Sequence, residues 1–260
     1  MSRLRSIFLV SCALMHWVVA AQSPWPSDAQ LSGNAFLPTS LKTLQNDPGS
    51  NPVSLWLDRG ALAWSDSSTG PSCASCHGKV NSLREAVVQH PRLSADGTKL
   101  VNLEDQILTC RSQAGKKSDS LESEEVLALS ALLHQTAKGL AWQLQAPVSQ
   151  QVQWQARLER GTALYAQRMG RMNLACVHCH DQNIGKQMRA DVISPAHPTG
   201  FPIYRMSWQG MGSIDRRLRA CYSGVQAQLP PPADPALRDL ELFLKVRASG
   251  MTLDGPSLRR

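Results

Sequence analysis

"CASCH" at Cys73–His77 and "CVHCH" at Cys176–His180 are two copies of one pattern in a single chain. The spacing has a chemical reason. Two thiols three positions apart add across the vinyl groups of a haem as thioethers, and the histidine after the second thiol reaches the iron. Cys73, Cys76, Cys176 and Cys179 are therefore the expected attachment residues of two covalently bound c-type haems, with His77 and His180 as iron ligands. A zinc ion held by the four paired thiols is the rival reading. Against it, about a hundred residues separate the pairs, and each pair carries the same trailing histidine.

The flanking sequence repeats as well. "LDRGALAW" (Leu57–Trp64) precedes the first motif and "LERGTALY" (Leu158–Tyr165) the second. Both have apolar residues at helical spacing, with an Arg-Gly pair in register. Behind each motif comes a loop-rich stretch, then a short helix with one further cysteine: "LEDQILTCR" with Cys110 and "SIDRRLRACYS" with Cys221. In both, an acidic residue lies six positions before the cysteine and an apolar one three before. Amphipathic helices follow over residues 122–135 and 232–247. This is a tandem duplication rather than a disulfide framework.

The expected fold is all-α: two tandem cytochrome c-type domains, each enclosing one covalently attached haem. They span residues 22–145 and 146–260, with a linker around 139–150 and little strand signal. A domain of ~100 residues is small for a hydrophobic core, and the haem would supply the missing apolar centre. Trp56, Trp64, Trp154 and Trp208 are expected to pack on haem or in the core.

Residues 1–21 read as an export signal: Arg3 and Arg5, a short apolar run, then Val19-Ala20-Ala21. No later stretch approaches the ~20 apolar residues of a membrane span. The expected location is the periplasm. Removing Arg3 and Arg5 takes the formal charge from +7 to +5. That surplus fits an anionic small substrate or an acidic partner, and equally a merely soluble basic protein. No basic run interleaved with aromatics points to nucleic acid.

Each iron needs a second axial ligand. No methionine lies between Met15 and Met169, so the first domain must use Cys110, His90 or His134. In the second, Met188, Met206, Met211 and Met251 compete with Cys221, and His197 is a weaker rival. The duplicated cysteine favours His/Cys ligation of both irons; a Cys110–Cys221 disulfide is the alternative. Arg217 sits one helical turn before Cys221, where it can favour a sulfur anion and hold anionic oxygens, or pair with a haem propionate. Arg216 and Arg219 point elsewhere on the helix and read as solvated.

Both motifs, the single cysteine after each, and Arg217-Leu-Arg-Ala-Cys221 together resemble the SoxA family, the dihaem subunits of SoxAX cytochromes in periplasmic thiosulfate oxidation. The resemblance runs from about Leu41 to the end. It implies His77 and Cys110 on the first iron and His180 and Cys221 on the second. It further implies Cys221 as the catalytic sulfur, often a persulfide in the family, with Arg217 as the active-site arginine. The implied enzyme is an L-cysteine S-thiosulfotransferase. It joins thiosulfate to a cysteine of a SoxYZ-like carrier protein and passes two electrons through haem to a SoxX-like small cytochrome c subunit. A dihaem thiosulfate dehydrogenase making tetrathionate is the enzymatic rival, and a dihaem electron-transfer cytochrome the non-catalytic one. The former typically has a Met-ligated second haem, and the latter predicts His/Met ligation throughout.

Overall fold

The computed structural model describes residues 30–116 and 120–260; the expected signal, residues 1–21, lies outside them. The first half contains α1 (Thr39–Asn46), α2 (Val53–Ser65), α3 (Cys73–His77), α4 (Arg84–Val87), α5 (Leu103–Gln113) and α6 (Glu124–Ala137). The second contains α7 (Gln151–Ala166), α8 (Cys176–His180), α9 (Ile214–Gly224) and α10 (Pro235–Arg247). The helical order read from the sequence is thus present in both halves.

Strand is scarce but has structural consequences. A hairpin joins β1 (Arg92–Leu93) to β2 (Leu100–Val101), and another joins β3 (Gln187–Met188) to β4 (Asp191–Val192). A small sheet sets β5 (Ile203–Arg205) between antiparallel β6 (Gly210–Gly212) and parallel β7 (Ser257–Arg259). The β5–β7 pairing brings the chain's last residues against the segment before α9, which local sequence pattern cannot reveal.

In each half the helix before the haem motif crosses the last long helix, and a glycine sits at the crossing. A Cβ on Gly60 would lie 2.4 Å from Ala128 O, and one on Gly161 would lie 2.1 Å from Asp239 O. These glycines belong to the two Arg-Gly pairs of the repeat. They are there because the backbones approach too closely for a side chain.

The halves share their cores. Leu93 and Leu100 pack with Trp154 and Leu242, while Val53, Trp56 and Leu127 pack with Met211 and Leu258. Trp56, Trp64 and Trp154 are buried as expected. Trp208 departs from the expectation. It is half-buried beneath two guanidinium groups, Arg216 at 4.3 Å and Arg205 at 5.7 Å from its ring centre.

Between the halves runs a buried polar seam. Arg238 on α10 donates to Asp105 on α5 at 2.6 and 2.9 Å, and to Asp215 on α9 at 2.9 Å. Glu241 accepts from Asn102 (3.0 Å) and pairs with Lys245 (2.8 Å), which also donates to the His90 carbonyl (3.1 Å). Asn102 and Asp105 form the capping box that starts α5, so one cluster both caps that helix and ties it to α10.

Two substitutions test this architecture by urea unfolding of the haem-loaded protein. Gly161→Ala should cost about 1–3 kcal/mol through the clash at the crossing. Arg238→Ala should cost about 3–5 kcal/mol, because it leaves buried carboxylates without their cation. Unchanged midpoints would contradict each assignment.

Candidate haem and sulfur sites

α3 begins at Ser72, whose hydroxyl accepts from the Ser75 amide at 3.0 Å. This short capped helix places Cys73, Cys76 and His77 on the wall of a cavity. Leu103, Ile107, Leu129 and Leu133 make much of the wall apolar. Cys110 lies on the same wall, brought there by α5. The four residues predicted for the first site are therefore assembled around one hydrophobic space. His90 also borders it: its Nδ1–H donates to Ala86 O at 2.8 Å, and its Nε2 is buried without a partner.

In the second half α8 carries Cys176, Cys179 and His180, and α9 brings Cys221 to them. His180 Nδ1–H donates to Ser194 O at 2.6 Å. That bond fixes the orientation of the ring, as a backbone carbonyl does for a ligating histidine. The Cys221 sulfur meets the same imidazole. Burial acts against ionising Cys221, but Arg217, the His180 contact and Arg205 more than offset it, bringing the thiol down to about 7. Cys176 moves the other way, pushed up to about 12 by burial and then by the nearby Cys221 sulfur.

Both donor sets fit a c-type haem: paired thiols on a short helix, a histidine beside them, and a sulfur brought from another helix. The rival readings fit less well. Cys73 and Cys76 line the first cavity while Cys176 and Cys179 lie near Cys221, so the two thiol pairs sit at different places. All six described cysteines are free, and Cys110 and Cys221 lie at separate sites rather than in a disulfide.

Met211 is buried in the core with Val53 and Trp56, Met251 packs on the first-half core, and Met188 is exposed. His197 is engaged with Leu31 O at 3.0 Å. His178 is half-buried, its Nδ1 accepting from the Ala175 amide at 2.9 Å.

Several residues at the second site carry no local sequence signal. Arg205, from β5, pairs with Asp191 at 2.6 Å and lies close enough to Arg217 and Cys221 to feel both. Arg259, from β7, is driven down to about 10, chiefly by burial and further by Arg217 and Arg205. Arg216 and Arg219 are not simply solvated. Arg216 covers Trp208, and Arg219 donates to Pro230 O at 3.0 Å. Arg217 itself has no carboxylate partner among the described residues. A sulfur beside an uncompensated guanidinium, with further arginines around it, is an environment for an anion.

His134 belongs to neither site. It is buried, with Nδ1–H donating to Ser130 O at 2.9 Å, and burial lowers it to about 3. Below pH ~6.5 the unfolded chain takes up a proton that folded His134 refuses. Stability should therefore be complete above that pH and fall toward pH 3, by about 1.4 kcal/mol per unit for this group. His134→Gln should remove that slope from a pH series of unfolding curves; an unchanged slope would contradict it.

Known proteins resemble this chain in sequence and in fold. A family model described as SoxA/TsdA, cytochrome c domain, matches residues 59–142. The L-cysteine S-thiosulfotransferase subunit SoxA of Pseudaminobacter salicylatoxidans is 32% identical over 245 residues, covering 93% of this chain and 85% of that one. The subunit of the same name from Paracoccus pantotrophus is 28% identical, covering 89% and 80%. The crystal structure of SoxXA from P. pantotrophus superposes with a TM-score of 0.80 at 28% identity, covering 88% of this chain and 86% of that one.

Proposed function

The chain belongs to the SoxA family, and from that premise we propose that it is the catalytic haem-bearing subunit of a periplasmic L-cysteine S-thiosulfotransferase. We read it as two tandem haem domains, residues 22–145 and 146–260. His77 and Cys110 would hold the first iron, and His180 and Cys221 the second. The observation that carries the catalytic assignment is that His180, Arg217 and Arg205 all act on the Cys221 sulfur and favour its anion.

Haem bound there supplies an outlet for electrons leaving sulfur one at a time. The chain's own residues do the rest. Arg217 receives the sulfonate end of thiosulfate through charge-assisted hydrogen bonds. Arg205 and Arg259 deepen the positive potential that draws a dianion in. The Cys221 sulfur anion and the terminal sulfur of thiosulfate form an S–S bond, releasing two electrons. A cysteine thiolate on the SoxYZ-like carrier then attacks the sulfane sulfur bonded to Cys221 Sγ and breaks that S–S bond. It leaves as a cysteine S-thiosulfonate, and the Cys221 sulfur anion is restored. If Cys221 carries an extra sulfur as a persulfide, the same exchange occurs one atom further out. The electrons pass to a SoxX-like cytochrome. Among the described residues no helix is long and apolar enough to cross a membrane.

A reconstituted assay with thiosulfate, carrier and a cytochrome acceptor tests the roles separately. Cys221→Met should abolish conjugation. Arg217→Gln should raise the KM for thiosulfate roughly 10- to 100-fold, the worth of a hydrogen bond between charged groups. A Cys221→Met variant that still conjugates thiosulfate would overturn the catalytic assignment.

A further inference from the structure

The two sulfur-bearing helices differ at one equivalent position. Four residues before Cys221 stands Arg217; four residues before Cys110 stands Gln106. On α5 that spacing places the amide one turn from the sulfur, and Gln106 Nε2 donates to Cys110 Sγ at 3.3 Å. The amide is not free to turn. Its Oε1 accepts from Arg92 at 3.1 Å. A guanidinium can only donate, so the oxygen must face Arg92 and the NH2 must face sulfur.

The Arg92 backbone is held by the hairpin. It lies on β1, opposite Val101 of β2, and Val101 leads directly into Asn102, the N-cap of α5. The hairpin and the helix thus bring Arg92, Gln106 and Cys110 to the wall of the first cavity, joined by consecutive hydrogen bonds.

We propose that Gln106, oriented by Arg92, is a positioning residue that donates a hydrogen bond to the Cys110 sulfur and raises the reduction potential of the first haem. The inference rests on Cys110 being that iron's ligand. A hydrogen bond to a ligating thiolate draws charge back onto sulfur and weakens its donation to the oxidised metal. At Cys110 the position one turn before the sulfur supplies an amide in place of the guanidinium at Cys221, while Arg111 and Lys116 border the same cavity, Lys116 paired with Asp66. That amide also occupies a sulfur lone pair. The first sulfur becomes a ligand that passes electrons, and the second remains available to substrate.

The test is spectropotentiometry of the haem-loaded full chain carrying Gln106→Met or Gln106→Glu. Methionine keeps the length and removes the donor. Glutamate keeps the Arg92 contact, removes the donor and adds negative charge. One of the two haem midpoints should fall with methionine and fall further with glutamate, and the other should stay in place. The sulfur-to-iron charge-transfer band of the same haem should move to lower energy. Two thiolate-ligated haems whose midpoints ignore both variants, or shift together, would overturn the relay alone. One haem, or a first iron without thiolate ligation, in the unaltered protein would overturn the ligand reading and the relay with it.

Discussion

The Arg238 guanidinium, buried between Asp105 and Asp215, is the constraint on which the rest of the molecule turns. Asp105 belongs to the helix that carries Cys110, and Asp215 to the helix that carries Cys221. Both helices are therefore tied to one side chain of α10. Burying three charges is costly, and the charges are tolerated only because each is paired and hydrogen-bonded. What the cluster secures is position: neither sulfur-bearing helix can shift without breaking a buried ion pair. The shared apolar clusters at Trp154 and Met211 act in the same sense, so the two halves behave as one framework.

Within that framework, duplication and divergence can be separated. Both halves keep a helix crossing closed by Gly60 or Gly161, a CxxCH turn, and a cysteine on a later helix. It relaxed the position one turn before that cysteine. An amide held by Arg92 satisfies one sulfur, whereas a guanidinium without a carboxylate partner stands by the other. The two sulfurs thus differ in the side chain that stands one helical turn before them.

Much of this was legible in the sequence because it depends on short-range spacing. The CxxCH motifs, the helices around the two Arg-Gly pairs, and Cys110 and Cys221 all follow from intervals of three to six residues. The rest depends on contacts between distant segments. Arg205 and Arg259 reach the second site through the β5–β7 pairing, which joins residues more than fifty positions apart. Trp208 reads as core by composition, yet it serves as a platform for Arg205 and Arg216. Arg216 and Arg219 read as solvated from the helical wheel, but tertiary partners engage both. Arg238 gave no signal either: its two aspartates come from different halves.

The central claim is that two equivalent sulfurs hold two irons and only one does chemistry. Peptide-resolved mass spectrometry of the purified holoprotein after exposure to thiosulfate tests it most directly. The account predicts two covalently bound haems, one on each CxxCH motif. It predicts added sulfur, about 32 Da per atom, on the Cys221 peptide alone. Added sulfur on Cys110, or haem on one motif only, would contradict it.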